Sequence, residues 1–359
     1  MRSLLLGLFA VVSSQAFAFP EMVRHGYTQC TACHVSPSGG GILTSYGREL
    51  AAEVLSTWSY ADESQFTHSK VGEKLADKGI LFGGDVRYLQ YRYKDSNQLT
   101  GKFFLMHADI QAAYETKQFT TVVSVGQVQD PLSNLNKISL NSTMYYGYLK
   151  ITDQFGLRAG RFDPAFGINM PDHTLVTKMA VMTDPLMQFD TAEASYLSEH
   201  WTVLVSAAKT VPNISIASQE SAVTTNVSYA VTNRMRVGGS FWTGQGPQLH
   251  RTLYGANAIL GFTEHFYNLT EIDFKHDANQ DGTYGFTRLA YEVYKGIIPY
   301  LQYQHQQADF TATNTVADWY GVGLHFFPRP HFEVTGEWDH GRVANANTDS
   351  SWVMFHYYF

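Results

Sequence analysis

Cysteine is nearly absent from this chain of 359 residues: there are two, Cys30 and Cys33. They exclude a disulfide framework, since at most one bond could form. Charge is also sparse, at 16% Asp, Glu, Lys and Arg, and the formal net charge of −7 disfavours nucleic acid as a partner. Beyond the first 18 residues no apolar run approaches the ~20 residues of a membrane helix. The aromatic fraction, by contrast, is high at 14%, while the mean hydropathy is slightly negative. A membrane protein of that profile has to be a closed barrel, because only helices and barrels satisfy their backbone hydrogen bonds in lipid.

Both cysteines fall in Cys30-Thr31-Ala32-Cys33-His34. C-x-x-C-H is the attachment signature of c-type haem, with two thiols for the vinyl groups and a histidine beneath the iron. The competing reading is a disulfide or a redox-active C-x-x-C. The adjacent histidine and an export signal upstream favour one covalent haem c on Cys30 and Cys33, with His34 as proximal ligand. Met1–Ala18 has the form of that signal: Arg2, an apolar run from Leu4 to Val12, and Ala16-Phe17-Ala18 as cleavage site. The run is short for a bilayer anchor.

From about Gly79 the chain breaks into short alternating stretches. In one, Phe104, Met106, Ala108, Ile110, Ala112 and Tyr114 are expected to face lipid, with His107, Asp109, Gln111 and Glu115 toward the lumen. Another alternates Glu333, Thr335 and Glu337 with Phe332, Val334 and Trp338. Apolar-out, polar-in with a period of two is the signature of a transmembrane β-barrel. Connectors alternate as well. Short turns fall near residues 117, 153, 199, 232, 263, 295 and 329, with longer polar loops between them. Short turns belong to the periplasm and long loops to the outside, and the two sets together predict 16 strands with both ends periplasmic. Val353, Phe355, Tyr357 and Phe359 share one face of a last stretch that resembles the closing strand of outer-membrane barrels.

The expected fold is therefore all-β: a ~16-stranded antiparallel outer-membrane barrel with a small N-terminal c-type haem-bearing plug. The expected divisions are residues 1–18, signal; 19–78, haem segment; 79–359, barrel. The middle segment is too short for a self-standing cytochrome core. It holds Ser36-Pro37-Ser38-Gly39-Gly40-Gly41 and a helix-compatible stretch over Tyr46–Trp58. It sits either inside the barrel or as a compact domain below it in the periplasm. The string Arg158-Ala-Gly-Arg-Phe-Asp-Pro-Ala-Phe-Gly167 resembles a segment of many porins that ends a strand and folds a loop toward the pore; the alternative is a surface loop.

The layout also resembles the fused monohaem cytochrome–porin family of outer-membrane iron oxidases. The likeness is carried by Arg24…Gly26…Cys30-x-x-Cys33-His34 and by Tyr46-Gly47-Arg48, an aromatic-Gly-Arg. The chain departs from it in having Arg24-His25-Gly26 before the motif and in the Gly39–Gly41 run. The resemblance implies Fe(II) as an extracellular electron donor.

A distal iron ligand is expected from His25 or His68, with Met22 and His107 as further candidates. Acidic positions Asp109, Glu115, Glu271, Asp273, Glu292, Glu333 and Glu337 either attract cations or form an ordinary solvated lining. Two functions from different classes follow. One is an electron conduit between an extracellular donor or acceptor and a periplasmic electron carrier. The other is a solute porin whose haem segment is plug, sensor or structural element. No distal His/Arg pair marks a peroxidase; an enzymatic role, if any, is oxidoreductase-like electron transfer, and no catalytic residue is singled out.

Overall fold

The computed structural model describes residues 20–59, 72, 74–94, 99–128, 142–170, 172, 174–181, 187–212, 214–277, 280–344 and 346–359. Sixteen antiparallel strands close into one barrel, each hydrogen-bonded to its neighbours in sequence. The first, β1 (Ile80–Lys94), pairs with the last, β16 (Ala346–Tyr358), from Asp85↔Tyr358 to Lys94↔Asp349. Closure gives every strand a partner on both sides, so the sheet has no free edge strand. The other strands used below are β2 (Leu99–Glu115), β5 (Phe155–Arg161), β11 (Phe266–Asp277), β12 (Gln280–Tyr291) and β15 (Phe332–Val343). Most strand ends fall within a few residues of the connectors expected from the sequence, and the seven short turns share one end of the barrel. Two connectors expected as longer loops at the other end are short instead: β11 ends at Asp277 and β12 begins at Gln280, and β15 ends at Val343 with β16 beginning at Ala346. Among the described residues no helix is long and apolar enough to cross a membrane.

The outer wall is apolar. Ile110, Tyr114, Phe155, Leu157, Leu301 and Tyr320 all stand exposed on it. Aromatic pairs ring the short-turn end, with centroids 4.8 Å apart for Phe155–Tyr196 and 4.7 Å for Trp201–Tyr229. An apolar band bounded by aromatic girdles is what lipid selects on a barrel exterior. Inward positions such as Glu333, Thr335 and Glu337 are buried, and Val353, Phe355 and Tyr357 face out, both as expected.

Two positions differ. Phe104 and Met106 face the lumen, not lipid. Arg87 pairs with His107 and Tyr88 with Leu105, so Met106 is an extra residue in the ladder. A bulge of one residue reverses the alternation beyond it. On the long-loop side of it, Phe103 becomes the exposed residue, at 61%, and Phe104 the buried one, at 9%. Strict period-two reading of the sequence misses such an insertion.

The segment after residue 19 folds inside the short-turn end. Its helical pieces are a 3-10 turn at Pro20–His25, another at Cys30–Ala32, and α1 (Ser45–Leu50), which continues as a wider π turn over Ala51–Leu55. Thr44 caps α1 by accepting from the Gly47 amide at 3.1 Å. Met22, Val23, Cys33, Leu43, Leu50 and Leu55 pack in one core with inward barrel residues such as Tyr267, Leu269, Ile298 and Phe327. Residues of the 20–59 segment thus pack against inward-facing side chains of the barrel.

Candidate functional site

The inner segment is tied to strands and turns around the whole circumference. Arg24, fully buried, pairs with Glu292 at 2.5 Å. Arg48 donates to the Phe82 carbonyl at 2.6 Å, and Arg236 to the Thr28 carbonyl at 3.0 Å. The Thr57 amide donates to the Phe327 carbonyl at 2.8 Å. Gln29 donates to Ser198, and Arg158 donates to Ser36 Oγ at 2.8 Å while pairing with Glu193 at 2.8 Å. Anchors this far apart in sequence hold residues 20–59 across the mouth as a bridge.

Cys30–Ala32 turns tightly, with the Cys33 and His34 amides both donating to the Cys30 carbonyl at 3.3 and 3.1 Å. This turn brings the two thiols and the histidine onto one short loop. Cys33 is buried and Cys30 half-buried. The Thr44 amide donates to the Cys33 carbonyl at 2.8 Å, tying the turn to α1. A Cβ at Gly47 would lie 2.6 Å from the Cys33 oxygen and 2.8 Å from its Sγ, so only glycine lets the helix approach this closely. Gly39, Gly40 and Gly41 all have left-handed φ (81°, 74° and 67°), which carries the chain back along the other side of His34. Burial pushes the His34 imidazole down to about 4, and the polar backbone of Gly40 and Gly41 beside it partly offsets that. His34 is therefore neutral, with a buried Nδ1 that has no hydrogen-bond partner.

Two thiols one tight turn apart and a neutral, buried imidazole suit the donor chemistry of haem c. His25 closes the Pro20–His25 turn; burial, then the neighbouring Arg24 cation, lowers it to about 4, and its buried Nε2 is unpartnered. Met22 is packed in the apolar core. His107 stands on β2 with its Nε2 3.3 Å from Asp109. His68 lies outside the described residues. Among the described residues no group of three or more His, Cys, Asp or Glu is placed to hold a metal ion.

The porin-like string Arg158–Gly167 ends β5, and the loop beyond it enters the lumen rather than covering the surface. Gly167 donates to Ser240 Oγ at 2.9 Å, Ile168 to Glu271 at 2.5 Å, and Val176 to Gln304 at 2.9 Å. Asp172 accepts from Arg288 at 2.7 Å, and Val176–Val181 forms a short helix, α2. Arg158 itself, under the Phe162 ring at 3.8 Å, links this string to the inner segment through Ser36.

The acidic positions divide accordingly. Glu292 holds Arg24, Glu271 holds the loop, Glu337 accepts from Tyr300 at 2.7 Å, and Glu333 lies between His325 and His356 at 2.8 and 2.9 Å. Asp109 accepts from Gln111 and Ser124, and Glu115 pairs with Lys150 at 3.3 Å. Asp273 alone of the seven is buried with both oxygens unpartnered. The other six each hold a partner within the fold. Sequence reading misses Arg24, Arg48 and Arg236 as anchors; isolated arginines carry no spacing signal. Above the inner segment remains a cavity of about 850 Å³, reached by β1, β2, β12, β15, β16 and the in-folded loop.

Among solved structures the chain is similar to the Pseudomonas putida porin OprB, with a TM-score of 0.63 and 10% identity over 85% of this chain and 99% of that one. It is also similar to several mutants of the Rhodopseudomonas blastica porin. One mutant has a TM-score of 0.52 and 11% identity over 77% of this chain and all of that one. Another, a triple mutant, has a TM-score of 0.53 and 12% identity over the same shares. At such identities the likeness concerns the fold: a 16-stranded porin barrel. No protein-family profile matches the chain, and no curated protein is similar to it in sequence.

Proposed function

We propose that this chain is an outer-membrane porin, its short turns in the periplasm, passing small solutes through a lumen narrowed by residues 20–59 and by the loop after β5. The observation that carries the proposal is the closed 16-stranded barrel with an apolar exterior, whose lumen keeps a cavity of about 850 Å³ despite both insertions. A barrel of this strand number leaves room for an aqueous channel unless something fills it. Here the fill is partial and anchored at the periplasmic mouth, so a porin of low conductance is expected. Single-channel recording in planar bilayers tests this. Discrete steps well below those of an unobstructed 16-stranded porin support it; a membrane that stays silent over many insertions speaks against it.

A second reading, the electron conduit, is favoured by the Cys30–His34 turn. Cys30 and Cys33 would hold haem c by thioethers, with His34 as an iron ligand and His25 as a candidate for a second. The cofactor would supply one-electron chemistry. The chain's own part is to keep His34 neutral by burial beside the Gly40–Gly41 backbone, and to tie the turn to α1 through the Thr44 amide on the Cys33 carbonyl. Electron exchange would run between an extracellular donor or acceptor, Fe(II) being the one the family resemblance suggests, and a periplasmic carrier. A haem-stained band at the mature mass, lost in Cys33→Ser, checks the attachment.

A further inference from the structure

The barrel wall is lower on one side than on the other. β4 (Ser142–Lys150), β5 and β6 (Phe189–Leu197) have 9, 7 and 9 residues, whereas β11 and β12 have 12 each. At the short-turn end both hairpins start from an aromatic rung, Phe155↔Tyr196 on β5–β6 and Phe266↔Tyr291 on β11–β12. On the outward face the first charged rung above it is Arg161↔Asp190 in one and His276↔Asp281 in the other. The climb is six residues (155 to 161) against ten (266 to 276). At a rise of ~3.4 Å per residue and a tilt of ~40°, that is roughly 15 Å against roughly 26 Å along the membrane normal. The apolar band of a barrel is about 25 Å tall. The β11–β12 rung therefore clears it. Arg161, Asp190 and Lys209, which pairs with Asp190 in the ladder from β7 (Trp201–Thr210), lie within it.

Below that charged row the outer surface is recessed. Gly147, Ala159, Ala192 and Ala207 stand in register on β4, β5, β6 and β7. Two adjoining hollows of about 450 and 700 Å³ share Ala192 and Ala207, one reaching up to Asp190 and Lys209 and the other down to Leu149 and Leu157. Among lipid tails, small residues are what let two backbones approach closely. The row above them carries both signs. Arg161 Nε donates to Asp190 at 2.9 Å, the carboxylate side chain stays 51% exposed, and Lys209 stands exposed beside it. Lipid tails offer these groups no counter-charge. A second copy of the same row does, with Lys209 facing Asp190 of the partner subunit.

The geometry points to the outer face of β4–β7 as a contact with a second copy of this chain. The Gly147–Ala207 row gives the close approach, and the Arg161–Asp190–Lys209 row meets its own counterpart. A patch that complements itself is what a contact between identical subunits needs. A lipid tail fits the hollows but answers neither sign of charge. The contact does not depend on whether the barrel passes solutes or electrons.

The test is sedimentation of the purified full chain in density-matched detergent, beside native mass spectrometry. The wild type is expected as an oligomer. Ala192→Trp puts a bulky ring into the hollow, and Asp190→Lys makes the row uniformly positive. Each should weaken association at least about 10-fold, because overlap or like charge replaces a matched contact. Combining Asp190→Lys with Lys209→Asp returns a row of mixed sign and should recover much of the association. Leu289→Trp, at an exposed position on the outside of β12, should leave association unchanged. Heat-dependent gel mobility confirms that each variant is folded. A monomeric wild type would overturn the inference, and so would Ala192→Trp or Asp190→Lys associating as tightly as the wild type. Wild-type monomers that retain a lipid, released by Ala192→Trp, would assign the hollows to lipid and overturn it as well.

Discussion

Replacing Arg24 by Met should loosen the inner segment while leaving the barrel intact. The guanidinium is fully buried, pairs with Glu292 at 2.5 Å, donates to the Glu264 carbonyl and lies over the Tyr267 ring at 5.5 Å. Methionine keeps most of the aliphatic stem, so the lost contacts are chiefly polar. Removing one partner of a buried ion pair costs about 3–5 kcal/mol, because the other charge is left uncompensated. Glu292 keeps the Gly296 amide at 3.0 Å, and His265 stands 3.4 Å away, which places this case at the lower end. About 3 kcal/mol of local destabilisation corresponds to a roughly 100-fold larger open population, at 1.4 kcal/mol per decade. Hydrogen–deuterium exchange read by mass spectrometry should show amides of residues 20–58 exchanging on the order of 100-fold faster, with strand amides unchanged. The double variant Arg24→Met with Glu292→Leu should recover part of the protection, since neither charge then stays buried alone. Wild-type exchange in the single variant would refute the bridge across the mouth.

Three further outcomes are expected. Gly47→Ala should push α1 off Cys33, because its Cβ would meet the Cys33 oxygen at 2.6 Å; on the electron-conduit reading haem absorbance per chain should then fall, while heat-modifiable gel mobility persists. Ile110→Lys, on the most exposed apolar position of β2 at 73%, should destabilise the vesicle-inserted barrel by up to about 2–4 kcal/mol in urea titrations. Deleting Met106 should give a barrel that still assembles, since the residues on either side of the bulge already pair in continuous register with Arg87 and Tyr88; failure to assemble, read by gel mobility, would contradict the register.

The barrel is legible because its signals are redundant. Alternation marks the strands, short turns and longer loops together count 16 of them, and a one-residue error in one place leaves the other signals intact. The faces of Phe104 and Met106 are not legible, because a bulge costs the sequence a single residue and nothing in Leu105-Met106-His107 marks it. The Cys30–His34 motif is plain. Gly47 and Arg48 stand out through resemblance alone, and their reasons show only in the fold: closeness to Cys33 and a bond to the Phe82 carbonyl. What cannot be read is the partnership of distant residues. Arg24 with Glu292, Arg158 with Ser36 and Arg288 with Asp172 join positions more than a hundred residues apart. They come together only when the barrel closes around the inner segment.

The most direct test of the porin reading is a paired flux measurement in proteoliposomes. Vesicles carrying wild type or the Cys33→Ser variant would enclose an oxidised dye, and entry of small uncharged solutes would be followed by swelling beside dye reduction from an impermeant external reductant. The expected result is solute entry at equal rates in both, whatever the dye does. Dye reduction by the wild type alone, with no solute entering either set of vesicles, would contradict the porin and leave the electron conduit in its place.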